Sequence, residues 1–186
     1  MPKGAVLFRE GNPSDTLWVL ESGWVRLVRQ TARNKTLMLD VVTPRNGVFG
    51  LSAFSGGPYV ANAVAASPIT IVQISTDVVR SLLKAHPRFA ASAVGIFGRR
   101  FHHMATAYAT AFAPVEQRIA AVLLRLQESF GDTLPLTRRE IAELTGTTVE
   151  TAIRVTTRWR RHGLLHMSRG CIVLQRPDVL GEKASL

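Results

Sequence analysis

The stretch from Thr137 to Leu165 reads TRREIAELTGTTVETAIRVTTRWRRHGLL and has the pattern of two short helices joined by a tight turn. Thr137 and Glu140 have the spacing of a capping box, in which a hydroxyl and a carboxylate satisfy the first backbone N–H groups of a helix. Gly146 allows the left-handed backbone conformation that often ends a helix. The same spacing recurs from Thr147 to the glutamate three residues on, so a second helix is predicted to begin almost at once. The stretch therefore predicts a helix-turn-helix.

Both helices have an apolar side and a polar side. In the first helix the predicted core residues are Ile141, Ala142 and Leu144. In the second helix, helical spacing predicts a buried side formed by Val149, Ala152, Val155, Thr156 and Trp159. The residues left facing outward are Glu150, Thr151, Arg154, Thr157, Arg158 and Arg161. Such a face can enter the major groove of DNA, although an arginine-rich helix face can also be merely solvated.

The residues after the second helix favour the DNA-binding interpretation. Gly163 breaks the helix, and Ile172–Leu174 have the composition of a strand that follows a turn at Arg169-Gly170. A helix-turn-helix followed by a hairpin is a winged helix. The basic residues of this region are all arginines, whose planar guanidinium groups suit phosphates and guanine edges. We therefore expect a winged helix that binds DNA.

Composition indicates the class of partner and the compartment. The chain has 186 residues, of which 46% are hydrophobic and 19% charged, enough to bury a core in one or two domains. The net charge of +10 favours a polyanionic partner, and no long apolar run or signal peptide points to a membrane. The single cysteine, Cys171, excludes an internal disulfide and indicates a reducing compartment. We expect a cytoplasmic protein whose partner is double-stranded DNA.

Residues Lys3 to about Ser75 have the pattern of an antiparallel β-roll. Their short apolar runs are separated by glycine, proline, asparagine and serine at the intervals of a sandwich or roll. The runs are Ala5–Phe8, Leu17–Leu20, Trp24–Val28, Leu37–Val42, Val60–Ala66 and Ile69–Ile74. Within the fourth run, Leu37, Leu39 and Val41 alternate with Met38, Asp40 and Val42, which predicts a strand there. Helical periodicity begins at about Thr76.

A heptad seam marks residues 87–112 as a long dimerisation helix. Its apolar residues are spaced alternately by three and four, and the seam comprises Val94, Phe97, Phe101, Met104 and Tyr108. A stripe of this kind can also pack on the chain's own roll. We favour a homodimer, because a helix-turn-helix protein needs two-fold symmetry to read a palindrome.

Ala113-Pro114 is predicted to break the long helix, since the residue before a proline avoids the α region. A further helix is expected over Val115–Phe130, with Ile119, Val122, Leu123 and Leu126 as its apolar side. The expected architecture is therefore α+β. It comprises a β-roll effector domain over 1–86, a dimerisation helix and hinge over 87–113, and a winged helix-turn-helix domain over 114–186.

In this order, the roll, long helix, hinge and winged helix resemble the CRP/FNR family of bacterial transcription regulators. Over the roll the resemblance rests on PKGAVLFREGNPSDTLWVLESGWVRLV, residues 2–28, which matches the family's opening pattern of glycines and strand residues. Over the recognition helix it rests on Val149–Arg154, where Glu150 and Arg154 are in register with the family's reading residues. The resemblance implies a roll of the cyclic-nucleotide-binding type and a homodimer on a palindromic DNA site. It also implies RNA polymerase as a partner.

The outward face of the second helix supplies the expected reading residues. Arg154 can donate two hydrogen bonds to a guanine, Glu150 can accept one from a cytosine, and Ile153 can contact a thymine methyl group. The resemblance implies the same roles for Glu150 and Arg154, whereas Ile153 departs from the small or hydroxyl residue of relatives. The residues expected to contact phosphates are Arg138, Thr148, Thr151 and Arg158.

The roll departs from the family's cyclic-nucleotide pattern. Phe49-Gly50-Leu51 stands where binding members carry Phe-Gly-Glu, and Tyr59-Val60 stands where they carry the Arg-Ser pair that holds the phosphate. Burying a phosphate charge against apolar side chains is unfavourable. We therefore expect that cyclic AMP does not control this protein.

No cofactor, metal or enzymatic activity is expected. An iron–sulfur cluster needs about four cysteine ligands, none of the five histidines lies in the roll, and no nucleophile–base motif or phosphate loop is present. Two alternatives stay open: a haem- or small-molecule-sensing regulator using His102, His103 and Met104, or a ligand-binding module acting on a protein partner. Met1 falls where relatives already have a helix and a first strand, so either the start is assigned too late or the effector domain is reduced. A reduced effector domain fits an effector-independent regulator.

Overall fold

The structure is a computed structural model that describes residues 1–32 and 35–184. The chain divides into two compact units, residues 1–103 and 104–186. The first unit contains two antiparallel sheets and the second a small sheet among helices. The α+β prediction, with an N-terminal roll, a long helix and a winged helix-turn-helix, is confirmed.

Two sheets form the roll of the first unit. The four-stranded sheet has the order β1-β6-β3-β4, and its strands are Val6–Phe8, Asn62–Ala65, Val25–Gln30 and Thr36–Val42. The three-stranded sheet has the order β5-β2-β7, with strands Val48–Phe49, Thr16–Ser22 and Thr70–Ser75. Each of the six apolar runs of the sequence overlaps one of these strands, and β5 is a short seventh. Side chains from both sheets meet in one core.

The predicted alternation along β4 is wrong at one residue. Leu27 of β3 pairs with Asp40, but the next residue, Val28, pairs with Met38, so Leu39 is skipped. This β-bulge turns Leu39 outward, where it is 46% exposed, and leaves Met38, Val41 and Val42 buried. A period of two cannot reveal a bulge, because the extra residue changes which residues share a face.

Three helices complete the first unit or extend from it. A short helix, α1 (Ser52–Ser55), and α2 (Thr76–Ala85) cover the outer side of β2 through a second apolar cluster around Leu17, Ala53 and Val79. The long helix α3 spans Pro87–Thr110. Its end before the Ala113-Pro114 pair agrees with the predicted break, although it stops at Thr110, earlier than the residue 112 that the seam suggested.

The second unit is the winged helix. Its elements are α4 (Val115–Phe130), β8 (Thr133–Leu134), α5 (Arg138–Thr145), α6 (Val149–Arg161), β9 (Leu165–Ser168), β10 (Cys171–Leu174) and α7 (Pro177–Ala184). The sheet has the order β8-β10-β9, and β9 and β10 form the predicted wing hairpin. The terminal helix α7 was not predicted from the sequence. It packs on α4, and its Leu180 is fully buried.

Candidate nucleic-acid interface

The first helix of the motif begins and ends as the sequence predicted. Thr137 Oγ1 accepts a hydrogen bond from the Glu140 N–H at 3.2 Å, and Glu140 Oε2 accepts one from the Thr137 N–H at 2.8 Å. At the other end Gly146 has φ +62°, a left-handed conformation that glycine adopts without strain. The Thr147 N–H then donates to the Ala142 carbonyl at 3.0 Å, which closes the end of α5.

The second capping box, predicted from Thr147 to Glu150, is wrong by one residue. The residue that caps α6 is Thr148, whose Oγ1 accepts a hydrogen bond from the Thr151 N–H at 3.2 Å. Thr147 cannot complete a capping box with Glu150, because its backbone N–H already donates to the Ala142 carbonyl at the end of α5. The connection between α5 and α6 is therefore only three residues long. A connection this short restricts the angle at which the two helices cross.

The inner face of α6 holds the recognition helix in place. Ala152, Val155, Thr156 and Trp159 are buried as predicted, whereas Val149 is only half-buried. Thr156 satisfies its buried hydroxyl by donating to the Ala152 carbonyl at 2.8 Å. On α5, Ile141 and Ala142 are buried as predicted, but Leu144 is half-buried and Thr145 takes its place in the core. A packed inner face of this kind gives the outer face a fixed orientation.

The outer face of α6 carries the three predicted base-reading residues. Glu150, Ile153 and Arg154 are all exposed, and Ile153 keeps 42% of its surface accessible although it is apolar. Glu150 and Arg154 lie one helical turn apart on the same side. In the part of the chain that the structure describes, Arg154 has no ion-pair partner. The arrangement presents a guanidinium, a carboxylate and an apolar side chain together on the exposed face of α6.

The four predicted phosphate-contacting residues lie in different environments. Thr148 is exposed and Thr151 half-buried, and their hydroxyls are 3.1 Å apart across the start of α6. Arg138 is half-buried in the first turn of α5. Arg158 forms a salt bridge with Glu116 of α4, a partner that the sequence did not suggest. The pair is 42 positions apart in the chain, so no local spacing could have indicated it.

The heptad seam of α3 is mostly uncovered within a single chain. Val94, Phe101, Met104 and Tyr108 are each more than 70% exposed. Phe97 is different: it is 42% exposed and contacts Phe54 of α1 edge-to-face, with ring centroids 5.4 Å apart. One member of the predicted interface thus packs on its own roll. The other four form an apolar stripe of the kind that usually marks a protein contact.

Arg100 links the middle of α3 to the roll. Its guanidinium forms a salt bridge with Asp40 of β4 and also donates to the Val48 carbonyl at 3.2 Å. Both side chains of the pair are more than four-fifths buried. This contact, which was not predicted from the sequence, lies beside the bulge at Leu39.

The interior of the roll is filled by four aromatic side chains. Phe8 and Tyr59 stack with ring centroids 3.8 Å apart, and Trp18 and Phe49 stack at 6.2 Å. The Tyr59 hydroxyl accepts a hydrogen bond from Trp18 Nε1 at 3.2 Å and donates to the Thr16 carbonyl at 2.8 Å. A glycine is required beside this cluster: at Gly50, with φ +73°, an added Cβ would lie 2.8 Å from the Trp18 ring. We name Phe8, Trp18, Phe49 and Tyr59 the aromatic cluster.

The two residues that replace the family's Arg-Ser pair point to different surroundings. Tyr59 is 4% exposed within the aromatic cluster, whereas Val60 is 67% exposed. Leu51, which replaces the family's glutamate, packs against the second apolar cluster near α1 and α2. Val60 therefore faces solvent, while Tyr59 lies in the interior. None of the three supplies a cation or an acidic group.

Among the described residues, no group of three or more His, Cys, Asp or Glu side chains is arranged to hold a metal ion. His102 and His103 are both exposed on α3. No helix over residues 1–32 and 35–184 is long and apolar enough to cross a membrane.

Comparison with known proteins agrees with the geometry of both units. Residues 1–86 match the family model of the cyclic nucleotide-binding domain, and residues 117–182 match that of the Crp-like helix-turn-helix domain. A CRP-like cAMP-activated global transcriptional regulator of Mycobacterium tuberculosis is 26% identical over 98% of this chain and 86% of its own length.

Solved structures show the same fold. FixK2 from Bradyrhizobium japonicum superposes with a TM-score of 0.89 over 100% of this chain and 95% of its own, at 19% identity. A CRP/FNR-family transcriptional regulator from Thermus thermophilus gives a TM-score of 0.76 at 26% identity, over 99% and 96% of the two chains.

The roll, the long helix and the exposed recognition helix define a DNA-binding transcription regulator of the winged-helix class. The chain belongs to the CRP/FNR family. Regulators of this family bind DNA and act as dimers.

Proposed function

We propose that this regulator is a homodimer that reads a palindromic DNA site through α6. One observation carries the proposal: the inner face of α6 is packed into the second unit, while Glu150, Ile153 and Arg154 are presented together on the outer face. A rigid helix with an exposed guanidinium and carboxylate one turn apart suits the major groove. In this assignment Arg154 reads a guanine, Glu150 a cytosine and Ile153 a thymine methyl group.

Phosphate contacts would set the register of the protein on the duplex. Thr148 and Thr151 lie at the start of α6, where backbone N–H groups and the helix dipole favour an anion. Arg138 lies at the start of α5, and Arg158 follows Arg154 by one turn of α6. Because phosphates are present in every sequence, these four residues contribute affinity and salt dependence rather than base preference.

The exposed stripe of α3 would form the dimer contact. Val94, Phe101, Met104 and Tyr108 remain uncovered in the single chain, and burying them against a second copy would remove the largest run of exposed apolar side chains on this helix. The two-fold axis then places the second α6 about one turn of DNA, ~34 Å, from the first. The protein would regulate transcription together with RNA polymerase and would have no enzymatic role.

We further propose that cyclic AMP does not control the protein. Cyclic AMP activation belongs to the named relative from Mycobacterium tuberculosis. In this chain Tyr59 is stacked on Phe8 and bonded to Trp18 in the interior, where a cyclic nucleotide would need a cation for its phosphate. A prepacked roll suits an effector-independent regulator. Calorimetry with cyclic AMP and cyclic GMP should give no heat of binding, and a micromolar affinity competing at the roll would contradict this.

The direct test of the function is binding to a random pool of duplexes. The protein should enrich a two-fold symmetric site, and its affinity should fall steeply as salt rises because counterions are released from the phosphates. A module that instead acts on a protein partner would enrich no sequence. The Arg154→Ala variant serves as the control, since it should keep its phosphate contacts and lose its preference at one base pair.

A further inference from the structure

The salt bridge between Glu116 and Arg158 joins the first turn of α4 to the recognition helix. Glu116 is the second residue of α4, where the helix dipole stabilises a negative charge. Arg158 lies in the last third of α6, one turn beyond Arg154. The two side chains are 38% and 50% exposed, so the pair is open to water and to ligands.

The surroundings of the pair are rich in positive charge. Two grooves, of about 470 and 410 Å³, lie on the second unit, and both are lined by Glu116, Arg158 and Lys183 of α7. The larger groove is also lined by Arg154. Glu116 is the acidic side chain that both grooves have in common, and it is bonded to Arg158 rather than to Arg154.

This selective pairing has a consequence for DNA binding. A guanidinium that already donates to a carboxylate must give up or share that contact before it can donate to a phosphate. A half-exposed ion pair is weakly held, so a phosphate can displace it. Arg154, without such a partner among the described residues, faces no equivalent competition.

We propose that Glu116 is a built-in competitor of DNA phosphate for Arg158, and that it limits the sequence-independent part of DNA affinity. The inference rests on the proposed function of α6. It makes Glu116 a positioning residue that acts through Arg158 and does not itself touch DNA. Lowering the affinity for phosphates in general matters for a regulator, because non-specific DNA competes with its target sites.

The proposal predicts both the direction and the size of a salt effect. Removing the negative charge in Glu116→Gln frees Arg158, so affinity should rise for specific and random duplexes alike. Each phosphate contact adds about 0.9 to the slope of log affinity against log salt. The slope should therefore steepen by up to about 0.9 per subunit, or ~1.8 per dimer. Between about 50 and 200 mM salt, the advantage over the wild type should shrink by up to roughly tenfold.

Fluorescence anisotropy with one selected site and one scrambled duplex, titrated over this salt range, measures these slopes. Glu182→Gln is the matched control: it makes the same charge change on α7, is exposed and lines neither groove. The second variant combines Glu116→Gln with Arg158→Gln. Its salt slope should equal that of Arg158→Gln alone, because residue 116 then has no arginine to engage. Thermal melting of each variant establishes that it is folded.

The outcomes separate the inference from the proposed function. A steeper slope in Glu116→Gln that vanishes in the double variant, with no change in Glu182→Gln, supports the competition. If Glu116 only stabilises the packing of α4 against α6, Glu116→Gln will weaken DNA binding and leave the salt slope unchanged. That result overturns the competition. An equal gain in Glu182→Gln also overturns it, because general charge would then explain the effect. A wild type that binds neither duplex at low salt refutes the proposed function itself.

Discussion

Replacing Phe101 with glutamate should convert the dimer to monomers. Phe101 lies near the middle of the apolar stripe of α3 and is 74% exposed in the single chain. It is a better probe than Phe97, which packs on Phe54 of the same roll, so its replacement would also disturb the first unit. In Phe101→Glu a charge takes the place of an aromatic ring that has no intramolecular ring contact to lose among the described residues.

The loss of dimer stability follows from the area of Phe101 that is exposed in the single chain and buried in the dimer. Full burial of a phenylalanine side chain contributes about 1.5–3 kcal/mol, and a symmetric dimer buries two copies, so roughly 3–6 kcal/mol is lost. At about 1.4 kcal/mol per tenfold change, the dissociation constant of the dimer should rise by ~100- to 10,000-fold. Repulsion between the two facing glutamates adds to this loss.

Sedimentation equilibrium at micromolar protein measures the dissociation constant directly. The wild type should be a dimer and Phe101→Glu a monomer with an unchanged far-ultraviolet spectrum. Val78→Glu is the control, because Val78 is also an exposed apolar residue, at 49%, but lies on α2 outside the stripe. A wild-type monomer, or a Phe101→Glu dimer of unchanged affinity, would refute the assignment of α3.

Three further variants test the local physics of the fold. Thr137→Ala removes the cap of α5 and should lower the free energy of unfolding by about 1 kcal/mol. Thr137→Ser keeps a hydroxyl and should retain most of the wild-type stability. Equal melting temperatures for the two variants would contradict the cap. Gly98→Ala should raise the stability of α3 by about 1 kcal/mol, because an added Cβ meets nothing within 4 Å in the single chain. A lower melting temperature would instead show that the partner helix approaches closely there. Arg100→Ala leaves Asp40 buried without its main partner and should cost about 3–5 kcal/mol in chemical denaturation; a loss under 1 kcal/mol would show that the pair is effectively solvated.

The winged helix was the most predictable part of the fold, because its signals are local. The capping box at Thr137, the glycine at 146 and the apolar spacing of α6 each depend on residues within one or two turns of each other. The second cap was predicted one residue too early, because the Thr147 N–H belongs to the end of α5 and cannot join a capping box with Glu150. Adjacent threonines offer the same side chain, and only the closing of the first helix decides between them.

The roll was predictable in outline but not in detail. Glycines and prolines marked the ends of the apolar runs, so the strands fell within about two residues of their expected limits. The bulge at Leu39 and the two-residue strands β5 and β8 leave no periodic trace, since they are too short or interrupt the period. The substitutions at Leu51 and Tyr59 indicated a changed interior, but the stacking of Tyr59 on Phe8 depends on the pairing of distant strands.

In the candidate site, the sequence predicted which residues face outward but not which of them are already paired. The exposure of Glu150 and Arg154 followed from helical spacing alone. The engagement of Arg158 by Glu116 and of Arg100 by Asp40 did not, because each pair joins elements that are far apart in the chain. Whether an arginine has an ion-pair partner depends on the tertiary structure, and the spacing of residues along one helix does not reveal it.

Selection from randomised duplexes with the wild type, Arg154→Ala and Glu150→Ala tests whether α6 reads bases through Glu150 and Arg154. The wild type should enrich a palindrome with half-sites about one helical turn apart. Arg154→Ala should lose preference at one base pair per half-site and about 1–3 kcal/mol of affinity for the selected site, with random-duplex affinity reduced far less. If both variants select the same site as the wild type with the same affinity, α6 is not the reading helix.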